Sequence, residues 1–200
     1  QSMASDLIAE YKKDKTSRKE WEEAYIKGLE LLGTKYQEVT KPFKGASGVT
    51  HPLLAESVTQ FQAQAYKELI PSDGPVRTKV VGLQSPQIEA QADRVKEYMN
   101  FLLMEEMEEY TTDMDQMLFY LPLSGSTFKK IYYDAMLGRP CSKFIPAEDL
   151  VVPYYASDLK DCERITHIIK MTENEVTKKM AGGFYRDIEL ASPRLYATYR

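Results

Sequence analysis

The stretch Phe128-Lys129-Lys130-Ile131-Tyr132-Tyr133-Asp134, followed by Leu137-Gly138 and then by Ser142-Lys143-Phe144-Ile145, decides the fold. Past Gly125 the apolar spacing changes from helical to alternating. The first run is rich in aromatic and β-branched residues, which suit a pleated surface. Leu137-Gly138 supplies the turn, so the stretch predicts a hairpin with 142–145 as the returning strand. Downstream, Leu150-Val151-Val152 and 164–171 read as further strands. Thr172-Glu173-Asn174-Glu175 has the spacing at which a Thr hydroxyl and a Glu carboxylate satisfy each other's free backbone N–H groups. It predicts a short helix stopping at Gly182-Gly183. The tail, 184–200, has strand-like content and no closing element.

Upstream the period is helical. Ser17 and Glu20 are spaced as a second capping box, and Trp21, Tyr25, Leu29 and Leu32 form a stripe that stops at Gly33. Residues 40–50, with Pro42, Gly45 and Gly48, read as a loop. Thr50 and Pro52 read as the start of a helix with Leu54, Val58, Phe61, Ala65 and Leu69 on one face. Pro71 to Pro75 makes a turn, and 76–82 predicts a short strand, since Val76, Thr78 and Val80 alternate with Arg77 and Lys79. Ser85-Pro86 caps a long helix with the stripe Ile88, Ala92, Val95, Met99, Leu102 or Leu103, and Met107. A short helix over about 113–121 follows, and Pro122 closes the helical half. Helices first, then a β-rich half with one inserted helix, is an α+β pattern. No internal repeat or low-complexity segment is present.

The chain has 200 residues, 43% hydrophobic and 28% charged, which excludes intrinsic disorder and allows a sizeable core. No apolar run approaches the roughly 18 residues of a membrane-spanning helix, and no basic start precedes an apolar stretch as in a secretory signal. A net charge of −4 argues against a generally basic nucleic-acid binder. The deficit is local: 101–150 holds four Lys/Arg against nine Asp/Glu, while the other quarters are balanced to within one. Cys141 and Cys162 are too few and too far apart for a disulfide framework or zinc cluster, and read as small buried apolar groups in a reducing compartment.

Motifs for catalysis are missing. Gly45-Ala46-Ser47-Gly48 lacks the spacing and the lysine of a phosphate-cradling loop, and no Gly-x-Gly-x-x-Gly occurs. His51 and His167 have no second His at ligand spacing, and each reads as a packed or hydrogen-bonded side chain. Ser126-x-x-Lys129 and Ser157-x-x-Lys160 match an acyl-transfer pattern, but twelve serines and eighteen lysines produce about one such match by chance. The acids Glu105, Glu106, Glu108, Glu109, Asp113 and Asp115 read first as a solvated face. They leave open a divalent-metal site for a nuclease, or a surface that repels DNA phosphates so that a duplex slides past it. Of the fourteen tyrosines, Tyr132, Tyr133, Tyr154, Tyr155, Tyr185, Tyr196 and Tyr199 cluster in the β-rich half. They suit either subunit contacts or ordinary strand packing.

The order of segments over about 50–190 resembles the portal proteins of short-tailed bacteriophages. The resemblance lies in the helix from Thr50-His51-Pro52-Leu53, the strand around Lys79-Val80-Val81, and the long helix ending in the acidic turn. It continues through Leu123-Ser124-Gly125-Ser126 into the Lys- and Tyr-bearing strand, then Ile145-Pro146-Ala147-Glu148-Asp149-Leu150-Val151-Val152-Pro153. Asp161-Cys162-Glu163-Arg164-Ile165-Thr166-His167-Ile168 leading into Met171-Thr172-Glu173-Asn174-Glu175-Val176 completes it. The resemblance implies a non-enzymatic virion component, in the host cytoplasm during assembly. It would be a homo-oligomeric ring, usually a dodecamer, at one capsid vertex, through which double-stranded DNA is packaged and ejected. Implied partners are the major capsid protein, the terminase motor and tail adaptors, with no cofactor, no metal and no membrane. The start at Gln1 and the stop at Arg200 predict the wing portion of a longer chain. That portion divides into an N-terminal helical arm and loop (1–49), a helical part (50–124) and a β-rich part (125–200), with no DNA-contacting residue assigned. The competing expectations are a metal-dependent nucleic-acid enzyme using 105–115, and a monomeric scaffold or adaptor domain.

Overall fold

The computed structural model describes residues 2–33, 43, 51–135 and 137–189. Helix α1 (Met3–Ser17) is capped by Ser2, whose hydroxyl accepts from the Ser5 N–H, and α2 (Lys19–Leu32) follows after one residue. The capping box expected at Ser17 and Glu20 does not form. Ser17 is instead the last residue of α1: its hydroxyl donates to the Asp14 carbonyl and accepts from the Tyr154 N–H. The α2 stripe does turn inward. Trp21 and Tyr25 stack at 5.4 Å, Tyr25 is buried, and the Trp21 indole N–H donates to the Ser124 carbonyl at 3.1 Å. Burying a ring of that size contributes about 2 kcal/mol. Gly33 ends the helix as expected. The loop expected over 40–50 and the start at Thr50 lie outside the described residues, apart from exposed Phe43.

Helix α3 (Leu53–Leu69) packs against α5 (Tyr110–Ser124). Its inward face differs from the expected stripe: Val58 is buried and Leu54, Ala65 and Tyr66 half-buried, but Phe61 and Leu69 are exposed. The turn at 71–75 is present. Gly74, at φ +89°, lies so close to Asn100 that a Cβ would stand 2.5 Å from its carboxamide. The strand expected over 76–82 is not part of any sheet. Asn100 takes both backbone groups of Val76, accepting from its N–H at 2.9 Å and donating to its carbonyl at 3.2 Å. Among the described residues no second strand lies beside the rest.

Ser85 and Pro86 start α4 (Pro86–Phe101) as expected, with the Ser85 hydroxyl accepting from the Ile88 N–H. The stripe on α4 is not core, however: no α4 residue is buried, and Ile88, Val95 and Met99 are at least 40% exposed. A π-helical turn over Leu102–Glu106 brings the chain to buried Met107, and α5 begins at Tyr110, three residues before the expected 113. Pro122 does not close α5. The helix runs on to Ser124 and ends at Gly125, whose φ of +77° favours glycine.

The fold is α+β. Strands β1 (Phe128–Asp134) and β2 (Arg139–Ile145) form an antiparallel hairpin with Ile131 opposite Ser142, as the alternating pattern predicts. A single 3₁₀ turn, Ala147–Asp149, leads to β3 (Leu150–Val151). The strand expected over 164–171 shrinks to β4 (Thr166–His167). The chain falls into two units, Gln1–Thr166 and His167–Arg200. All of segment 50–124 and most of 125–200 thus share one unit with 1–49. In the second unit, α6 (Glu173–Ala181) carries the predicted capping box intact, stops at Gly182 and buries no residue. No strand occurs over 184–189, the described part of the tail.

The arm is joined to the rest of the first unit by side chains far apart in sequence. Arg18, 6% exposed, donates to the carbonyls of Ala147, Leu150 and Glu148 at 2.7–3.0 Å and to the Glu22 carboxylate at 2.9 Å. Arg164 grips the buried Asp14 carboxylate through two nitrogens, both at 3.1 Å, and reaches Glu10 at 2.9 Å.

Candidate functional site: the acidic junction and the hairpin

The six acids from the α4–α5 junction into the first turns of α5 are the densest set of chemically able side chains found in the sequence. The π-helical turn and buried Met107 leave Glu105, Glu106 and Glu108 exposed. Glu109 precedes α5 and Asp113 lies one turn on, so both carboxylates share a helix face. Glu109 accepts from the Ser142 N–H at 3.1 Å and Asp113 from the Phe144 N–H at 2.6 Å. Helix positions i and i+4 are separated by about 6 Å and strand positions i and i+2 by about 6.7 Å, so the two spacings match. The carboxylates therefore close the outer edge of β2, the edge facing away from β1. Glu109 also holds Arg139 at 2.9 Å. Burial raises the Glu109 carboxyl, but its own N–H, the Ser142 N–H and Arg139 outweigh that and hold it below its ordinary value.

The remaining acid, Asp115, accepts from the Gln62 carboxamide at 2.7 Å. The six acids are thus dispersed, and among the described residues no three His, Cys, Asp or Glu side chains are grouped to hold a metal ion. Carboxylates at this junction act on the hairpin backbone.

Inside the hairpin, the Lys129 ammonium lies 3.9 Å from the Tyr110 ring centre with no hydrogen-bond partner. Burial pulls it down, and the nearby Asp113 and Glu109 carboxylates offset part of that. Burial likewise raises the Tyr110 hydroxyl. Ser126 is exposed, so the Ser126-x-x-Lys129 pair is not assembled as a nucleophile and base, and Ser157 and Lys160 both face solvent. Cys141 is buried and its thiol is raised by burial, which fits an inert apolar group; Cys162 is half-buried. His167 lies in β4 as expected, whereas His51 is exposed and not packed. A cleft of about 490 Å³, lined by Asp73, Arg77, Asp93 and Lys96 among others, mixes charges of both signs that sum to zero.

The clustered tyrosines face outward. Tyr133, Tyr154 and Tyr155 are 62–74% exposed, which ordinary strand packing does not explain; Tyr196 and Tyr199 lie outside the described residues. Arg18, Asp14, Asn100 and Arg164 organise the first unit, yet no motif marks any of them, because their partners lie 24 to 150 residues away. No protein-family model matches the chain, and no curated protein matches it.

Proposed function

We propose that the chain is the wing portion of a portal-type ring subunit: a structural element of a virion vertex through which double-stranded DNA passes, docking the terminase and tail proteins. One observation carries the reading beyond the resemblance in segment order. Among the described residues, twenty-seven large apolar or aromatic side chains are exposed while eleven apolar residues are buried. Scattered exposed apolar groups are ordinary, but here they line α1, α4, the hairpin and the β-rich loops together, as surfaces completed by neighbouring copies do. Carboxylates occupied by the hairpin backbone suit a structural role better than a metal-dependent one. The test is the native mass of the full-length protein by mass photometry at near-physiological salt. A population at about twelve subunits, or a neighbouring number, is expected. A monomer or dimer at micromolar concentration overturns the reading.

A further inference from the structure

The chain holds a strand without a sheet and a sheet edge without a strand. Residues 76–81 run without turn or bend, and their alternating Val and Thr suit a ladder. Asn100 anchors Val76 to α4, but among the described residues the backbone of 77–81 makes no hydrogen bond, and Val81 is 90% exposed. On the hairpin, β2's outer edge is closed by Glu109 and Asp113. The outer edge of β1 is not. Because the Ser142 and Phe144 N–H groups point away from β1, their opposite residues Ile131 and Lys129 point their backbone groups away from β2, and Tyr133 does the same. Among the described residues nothing pairs with that edge, and Ile131 and Tyr133 stand 74% and 67% exposed.

We infer that residues 77–81 of one copy add as an antiparallel strand to the outer edge of β1 in a second copy. Charge favours the partner, and charge and strand length together select the register. Setting Val80 opposite Ile131 places Arg77 opposite Asp134, the one carboxylate on β1, and Lys79 opposite Tyr132. It also aims the Thr78 and Val80 backbone groups at the free groups of Tyr133 and Ile131. A slip of two residues one way sets Lys79 against Lys130; the other sets Lys79 against Asp134 but carries Arg77 and Thr78 past the end of β1, so that only 79–81 are paired. The contact joins two different surfaces, so it is head-to-tail and closes into a ring when the rotation allows. This deepens the ring-subunit reading and rests on it for taking the neighbour to be a second copy.

The experiment is amide hydrogen exchange on the full-length protein, diluted until its native mass is that of one chain, with an end-blocked synthetic peptide spanning 75–84 as probe. Exchange at 131 and 133 is expected to slow by roughly tenfold or more at saturating peptide. Arg77→Glu in the peptide should weaken protection several-fold, and Asp134→Arg in the protein should restore it. Unchanged exchange at both amides overturns the inference, as does equal protection by a peptide carrying Val80→Pro, which lacks the central donor. Where no dilution yields single chains, amides 78, 80, 131 and 133 should already be slow in the assembly, and fast exchange there overturns it. Native mass reports separately on the ring. A ring with fast amides removes strand addition alone, while peptide protection in a protein that never passes a dimer removes the ring alone.

Discussion

Arg18 shows how much of this molecule depends on single side chains. Its guanidinium satisfies three carbonyls of the turn before β3 and at β3 itself, from a position between two helices. An ammonium lacks the planar fork that reaches several acceptors at once, so Arg18→Lys is not conservative here. Arg18→Met leaves the buried Ala147 and Leu150 carbonyls without that donor and should destabilise the first unit by about 3–5 kcal/mol. Urea unfolding followed by far-UV circular dichroism checks it. Lys19→Ala is the control: Lys19 and Glu23 form an exposed pair at 3.6 Å, and its loss should change stability by less than about 0.5 kcal/mol. An equal effect of the two substitutions would refute the role given to Arg18.

At the scale of elements, the hairpin depends on the charge state of α5's first turn. Glu109 titrates below its ordinary value in the folded chain, so its contribution is complete above the unfolded value, near pH 4.3, and is lost as pH falls through the folded one. Hairpin protection measured by amide exchange at Ser142 should therefore weaken below about pH 4. Glu109→Gln should lower that protection at neutral pH by about 1–2 kcal/mol, with the difference from the unsubstituted protein shrinking as pH falls through the lowered folded value of Glu109. A difference that persists undiminished in acid would mean that the Glu109 charge does not hold the edge. The same carboxylates, read in isolation, suggested first a solvated face and left a metal site open. Their true partners are backbone amides that no side-chain pattern displays.

Across the whole molecule, the two units differ in what holds them. The first has buried Val58, Leu118, Phe144 and Val151 and the arginine contacts. The second has α6, which buries nothing and relies on its capping box, in which the Thr172 hydroxyl accepts from the Glu175 N–H and the Glu175 carboxylate from the Thr172 N–H. Helix α6 should thus open without the first unit, its amides exchanging at a lower free energy than those of α5. Thr172→Ala should lower α6 protection by about 1 kcal/mol and leave α5 protection unchanged. Equal protection of α5 and α6 would show a single cooperative unit instead.

Most element types were legible in the sequence because they depend on neighbours a few residues away. Period-two alternation marked the hairpin with β1's bounds and its turn, the Thr172 box marked α6, and Ser85-Pro86 marked the start of α4. The α+β class followed from that order. Local pattern misled where a distant partner intervened: Ser17 met Tyr154 instead of Glu20, and 76–82 had a strand's alternation but no strand beside it. The apolar stripe on α4 was correctly read as a stripe, yet no α4 residue is buried, since periodicity reports which residues share a face and not whether anything covers it. Sequence by itself determined the helices after residue 20, the hairpin and the absence of a catalytic motif, while α1 went unread. Tertiary structure alone decided that two acids clamp β2, that Arg18 and Arg164 fasten the arm, and that β1 keeps an open edge, because each depends on groups brought together from 31 to 150 residues apart.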